Sequence, residues 1–191
     1  MVRKARQIIP GQVYYVVLRG IPSLSIFERE DLKLEFLAWL RDAAKNYKLT
    51  VHAYVILPNQ TQILVTPLFD ASLARTMQSL CRRFTQLYNQ IYQHKGSIWA
   101  GRYYSQAIEN ENEILLFQKK VEQSPLKEHL VQHLEDYVWS SYRIHIGLEP
   151  NYGLQDVLPF WALGNTPFER QRQWENIALE KEPYTPRLVN H

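Results

Sequence analysis

The chain has 191 residues, 46% of them hydrophobic and 21% charged, with a formal net charge of +3 and one cysteine. That length and apolar fraction suffice for one substantial core. A lone cysteine excludes an internal disulfide framework, and the lack of a long apolar run or signal-peptide pattern leads us to expect a cytoplasmic protein with no membrane partner.

In chain order, Gln12 to Leu18 reads as a first strand. From Glu30 to Tyr47, Leu32, Phe36, Trp39, Leu40, Ala43 and Tyr47 recur at helical spacing, which predicts an amphipathic helix of about five turns. The β-branched run from Val51 to Leu57 follows, its Val51, Ala53, Val55 and Leu57 alternating onto one face. Pro58 and Asn59 turn the chain into a strand over 61–66. On it Gln60, Gln62 and Leu64 share one side while Thr61, Ile63 and Val65 share the other.

Asp70 or Ser72 offers a cap for a second long helix, whose Leu73, Met77, Leu80, Phe84, Leu87 and Ile91 form a buried stripe with Arg75, Arg82 and Arg83 on its opposite side. Cys81 falls within this helix and reads as a small buried hydrophobe. Ile98 to Ala107 reads as another strand. Asn110 with Glu113 then predicts a capping box for a third helix, in which Ile114, Phe117 and Val121 face the core and which Pro125 ends or kinks. Strand, helix, two strands, helix, strand, helix is the order of an α+β fold of ferredoxin-like type, an antiparallel sheet with helices packed on it. We expect this domain over 1–147. Residues 148–191, where Pro150, Pro159, Pro167, Pro183 and Pro186 accumulate, are expected to form an extension with a short helix around 167–181 and a loose end.

Charge is unevenly distributed. Residues 1–27 hold Arg3, Lys4, Arg6 and Arg19, and residues 71–108 hold Arg75, Arg82, Arg83, Lys95 and Arg102, with no acid in either segment. Segregated cations of this kind give counterion-release affinity for phosphates. The same segments carry Tyr88, Tyr92, Trp99, Tyr103 and Tyr104, candidates for stacking unpaired bases or for ordinary core positions. His129 and His133, four apart, lack a nearby third ligand and are not read as a metal pair. Walker loops, glycine-rich dinucleotide fingerprints and nucleophile elbows are missing from the sequence.

Several short runs, in order, resemble the REP-associated tyrosine transposases of the HUH single-strand transposase superfamily. They are Pro10-Gly11 before Tyr14-Tyr15-Val16, Arg19-Gly20, His52-Ala53-Tyr54, Pro58-Asn59, Trp99-Ala100-Gly101-Arg102 and Trp139-Ser140-Ser141-Tyr142-Arg143. The resemblance implies the same ferredoxin-like fold and a DNA strand-transfer chemistry using two metal-binding imidazoles and a tyrosine nucleophile. Laid on that pattern, Gln60 and Gln62 stand where the imidazoles belong, Lys120 falls at the tyrosine and Ser124 at the polar residue one turn on, and Tyr15 at the second of a histidine pair. An amide offers only a weakly basic carbonyl oxygen, and an ammonium is no nucleophile at neutral pH.

The expectation is therefore a transposase-like protein that recognises single-stranded or hairpin DNA and is deficient in nicking. Arg3, Lys4, Arg6, Arg19, Arg75, Arg82, Arg83, Lys95, Arg102 and Lys120 are the candidate DNA contacts. No cofactor is expected, with Mg²⁺ or Mn²⁺ on Gln60 and Gln62 if activity is retained. Two alternatives stay open. One is an active nicking enzyme using Tyr14, Tyr15, Tyr103 or Tyr104; the other is an RNA-binding or regulatory module. Monomer and homodimer are both compatible with the sequence.

Overall fold

The computed structural model describes residues 7–180, so Arg3, Lys4, Arg6, Pro183 and Pro186 lie outside the described residues. Four strands form one antiparallel sheet: β1 (Tyr14–Arg19), β2 (Leu49–Leu57), β3 (Gln60–Pro67) and β4 (Tyr104–Ala107), in the order β2-β3-β1-β4. Between them run α1 (Glu30–Tyr47) and α2 (Ser72–Tyr92). The result is the ferredoxin-like α+β arrangement that the alternation of patterns predicts.

After β4 come α3 (Glu111–Glu122), α4 (Ser124–Lys127), α5 (Tyr142–His145), α6 (Leu158–Trp161) and α7 (Pro167–Leu179). No helix among the described residues is long and apolar enough to cross a membrane.

The sheet separates two cores. On one face Val16, Leu18, Ile56, Ile63 and Val65 pack with the stripes of α1 and α2, centred on Phe27, Phe36 and Phe84. On the other, Val17, Ala53, Val55, Leu57 and Leu64 pack against Ile114 and Val121 of α3, with Phe160 of α6 and Trp174 and Ile177 of α7. Residues from the C-terminal quarter of the chain thus complete the second core. Fully burying each such side chain contributes roughly 1.5–3 kcal/mol, which is why a sheet without α6 and α7 would leave a wet apolar face.

One expectation about faces is corrected. Val51 does not share a face with Ala53, because the β2–β3 register shifts between them; Val51 belongs to the α1/α2 core and Ala53 to the α3 core. The residue in the bulge, His52, is buried, its ring nitrogens on the Gln155 carbonyl and the Thr66 hydroxyl. An extra residue in one strand inverts the facing of everything before it.

Local chemistry explains other boundaries. The second helix starts without the side-chain cap expected of it, since Asp70 bonds the Ala71 N–H and Ser72 the Phe69 N–H in the turn before it. Asn110 does cap α3, accepting from Asn112, but the reciprocal capping box is found at α7, between Thr166 and Glu169. Pro125 follows the end of α3 and opens α4. The last strand is shorter than its sequence run, because Ile98 to Arg102 meets the end of β1 only through the Gly20–Trp99 bridge and the Ala100–Arg19 and Ile21–Ile98 backbone bonds.

Two of the short runs interlock at this end of the sheet. The Asn59 amide donates to the Gly20 and Ile21 carbonyls, and the Gly20 N–H returns a bond to the Asn59 carbonyl. A Cβ on Gly20 would lie 2.2 Å from Asn59 Oδ1. Only glycine permits this approach.

The outer edge of β2 is covered. Ile56 N–H bonds the Trp139 carbonyl, Ser141 N–H the Tyr54 carbonyl and Gln155 N–H the Val51 carbonyl. Ser140 and Ser141 therefore serve as a clasp on the strand edge, with Tyr142 fully buried behind them.

Candidate functional site

Register builds the site. Tyr15, Val17 and Arg19 of β1 stand opposite Leu64, Gln62 and Gln60 of β3, and Tyr15 and Val17 stand opposite Gln106 and Tyr104 of β4. Directly opposed residues share a face. All of these therefore point to the α3 side, and Gln60, Arg19 and Tyr104 lie toward the end of the sheet where Gly20 and Asn59 interlock. Tyr104 is 47% exposed, and its hydroxyl donates to Gln106.

Over this floor lies the last turn of α3. The Tyr15 hydroxyl, buried, donates to Gln62 Oε1 at 2.8 Å. Its ring packs on Phe117 at 5.4 Å between centroids. The Lys120 ammonium sits 4.5 Å from the Tyr15 ring centroid and 5.3 Å from that of Phe117, a cation resting on two aromatic faces. Gln60 donates from its amide nitrogen to Glu128, 2.7 Å away. Gln60, Gln62 and Lys120 are thus brought together. Their neighbours in the sequence run are not, since Gln118, Lys119 and Val121 are all buried under α3.

Ser124 is turned away from the site. Its hydroxyl donates to the Lys120 carbonyl at 2.9 Å, the back-bond to position i−4 that a helical serine often makes. It orders the backbone beneath Lys120 instead of facing a ligand. Lys127 and Glu128, which the motif comparison did not single out, flank the site from α4 and its C-cap. Burial, then the like charge of Lys120, lowers the Lys127 pKa.

The donor set does not fit the divalent cation that the resemblance implies. The Gln62 amide oxygen already accepts from Tyr15, whose own pKa is pushed up to about 12, chiefly by burial, against an opposing pull from Arg19. That phenol stays protonated and keeps donating at neutral pH. An ammonium on the Tyr15 ring adds like charge where a cation would have to sit. Among the described residues no group of three or more His, Cys, Asp or Glu could hold a metal ion.

The other candidate contacts divide between surfaces. Arg19 and Arg102 are exposed at this end of the sheet, Arg102 two residues beyond Ala100, whose N–H bonds the Arg19 carbonyl. Lys95 is exposed in the turn after α2. Arg75 and Arg82 lie on the outer side of α2, around a shallow groove with Tyr47, Gln78 and Ser79. They belong to the opposite layer and do not join Lys120. Arg83 is paired with Asp42 at 2.7 Å and stacked on Trp39. Of the aromatic candidates, Tyr88 and Trp99 are core residues, the Trp99 indole donating to Thr85. Tyr104 remains as the exposed ring at the site.

A polar cluster directly behind Lys120 has no counterpart in the sequence reading. Glu122 is fully buried; one carboxylate oxygen accepts from His145 Nδ1 and the Ser141 hydroxyl, the other from the Trp174 indole at 2.8 Å. Its signal in the sequence is a carboxylate on the apolar stripe of α3, one turn after Gln118. Burial of His145 opposes its charge, but Glu122 and, 3.7 Å from Nε2, Asp156 outweigh it and raise the pKa above 6.5. His52 is the reverse case, its pKa lowered below 6.5 chiefly by burial.

These two histidines set opposite limbs of stability. The His145 contribution is complete below pH 6.5 and is lost as pH rises through its raised pKa, whereas that of His52 is present above 6.5 and is lost as pH falls through its depressed one. Stability is therefore expected to peak near pH 6.5. Denaturant midpoints across pH should show His145→Gln flattening the alkaline limb and His52→Gln the acidic one; parallel curves for all three proteins would refute the assignment.

Comparison with known proteins places the fold. A structure described as a REP-associated tyrosine transposase bound to a REP hairpin aligns at 16% identity over 83% of this chain and 99% of its own, with a TM-score of 0.61. It shares the fold. Looser alignments are a Deinococcus radiodurans protein assigned as a transposase (14% identity, 68% of this chain and 95% of that one, TM-score 0.44) and the tRNA(His) guanylyltransferase of Saccharomyces cerevisiae (12%, 97% and 85%, 0.47). No curated protein matches the chain. The family model for IS200-like transposases matches residues 11–124, which span the four strands, the first three helices and the site between them, and the chain belongs to that family.

Proposed function

We propose that this protein is a transposase-derived DNA-binding protein that holds a stem-loop or single strand at the polar end of its sheet and does not cut it. The observation that carries the proposal is the occupation of Gln62 by the buried Tyr15 hydroxyl, with the Lys120 ammonium above the same ring. A metal-assisted attack on a phosphodiester needs a metal and a nucleophile, whereas this corner presents an amide oxygen engaged by a phenol and a cation. A cation without a metal is a phosphate contact. Arg19, Arg102 and Lys120 supply such contacts beside the exposed Tyr104 ring, a combination suited to a phosphate backbone with an unpaired base. The hairpin described for the structural relative supports a stem-loop as the first ligand to try.

A second reading keeps an active enzyme that uses a different phenol. Exposure of Tyr104 favours it over Tyr14, whose hydroxyl accepts from the Ile9 N–H, and over the buried Tyr15. One experiment decides. A labelled stem-loop oligonucleotide is titrated with protein at several salt concentrations, and parallel samples with Mg²⁺ or Mn²⁺ are run on a denaturing gel. Binding that weakens steeply with salt, without a covalent adduct, is the expected result. An adduct lost in Tyr104→Phe would establish the second reading. Stronger binding to a matched RNA would move the ligand class to RNA.

A further inference from the structure

On the face of the sheet away from this site, the last turns of α1, the start of β2 and the 152–155 segment enclose a cavity of about 400 Å³. Its walls are mostly aliphatic, with Leu37, Leu40, Val51, Leu68, Ile144 and Leu154 joined by Thr50, Tyr54 and Gln155. Three cations, Arg41, Lys45 and Lys48, share the lining and no acid does. All three are exposed, and neither Lys45 nor Lys48 has a carboxylate partner among the described residues. Arg41 is held in place against the Tyr152 ring, 5.5 Å from its centroid.

Two features coincide in this arrangement. An apolar hollow of this size is in the range of small-molecule sites, which combine greasy walls with a few polar groups that fix orientation. Three exposed cations at one helix C-terminus, where the helix dipole favours them, give the rim a positive charge that an anion complements. A ligand with an aliphatic body and an acidic head answers both. A nucleotide answers the second, but most of its base would lie against aliphatic side chains, with Thr50, Tyr54 and Gln155 as the polar groups in the lining.

We propose that this cavity binds a medium-chain aliphatic carboxylate, with its chain against Leu40, Val51 and Leu154 and its head among Arg41, Lys45 and Lys48. The site is separate from the DNA face, and its test does not depend on DNA binding. Calorimetric titration of the whole chain with octanoate, decanoate and dodecanoate, below micelle formation, should give saturable binding that tightens about four-fold per methylene until the cavity fills. Dodecanol should bind at least about ten-fold more weakly than dodecanoate.

The exposed double variant Lys45→Glu/Lys48→Glu should lose about ten-fold or more for dodecanoate and leave dodecanol unchanged, while Leu154→Trp should weaken both. Absence of saturable binding to the unaltered protein would overturn the proposal. So would equal affinity for the acid and the alcohol, or displacement of dodecanoate by adenosine monophosphate at lower concentration.

Discussion

Glu122→Ala is expected to lower the unfolding free energy by about 3–5 kcal/mol, the usual cost of removing one partner from a buried ionic network. The loss comes from what stays behind. The His145 ring, the Ser141 hydroxyl and the Trp174 indole all direct hydrogens at this one carboxylate, from α5, the clasp on β2 and α7. Without it, the buried His145 and Trp174 donors lose their acceptor while the Ser141 hydroxyl keeps only its longer bond to the Tyr54 carbonyl at 3.2 Å, and each orphan carries a desolvation penalty of roughly 1–3 kcal/mol. Glu122→Gln should lose less, since its carbonyl oxygen still accepts, but it removes the charge that favours protonated His145. The alkaline limb of the stability curve should therefore flatten in this variant too. Urea unfolding followed by tryptophan fluorescence measures both effects, and a Glu122→Ala protein within about 1 kcal/mol of the parent would rule out a structural role for the network.

The second large effect concerns affinity. Arg19→Glu/Lys120→Glu should weaken stem-loop binding by ten-fold or more and reduce the salt slope by about one per lost phosphate contact. Both side chains are exposed, so the fold should survive. Arg75→Glu/Arg82→Glu is the informative control, because those cations sit on the other layer, with α2 and the sheet between them and Lys120. It should change affinity by less than the first pair. An equal loss from both would mean that the nucleic acid wraps the molecule, and a loss from the α2 pair alone would remove the sheet end as the binding face. Lys120→Met separates charge from shape, since it keeps an unbranched chain over the Tyr15 and Phe117 rings and removes the cation.

Most of the frame was legible because periodicity is written directly in the residues that make it. The leucine and phenylalanine spacing of α1 and α2 gave helices close to the observed ones, and alternation along 60–65 placed Gln60 and Gln62 on one side. The bulge at His52 was not legible, since an inserted residue leaves the alternation of side chains intact while reversing which core each one meets. Aromatic residues were the weakest guide. Trp99 and Tyr88 sit among cations in the sequence yet pack into the α1/α2 core.

At the site, sequence position identified which residues stand together, but not how they spend their hydrogen bonds. Ser124 lies four residues after Lys120, and nothing in that spacing tells a ligand-facing hydroxyl from one bonded to its own helix. Glu128 was invisible for a similar reason. It reaches Gln60 from a short helix end 68 residues away in the chain. The Glu122 network depends on α5 and α7, whose docking follows from tertiary packing and not from any local pattern.

The clasp of residues 139–141 and 155 on β2 has a consequence for assembly. With that margin closed, growth of the sheet by an added strand has one direction left, past Tyr104–Ala107, which pairs on its inner side with β1. Four residues offer too short a rail for a lasting register. Two copies of this chain that associate should therefore meet through helices or share a bound oligonucleotide, leaving the eight-stranded continuous sheet as the form least open to them.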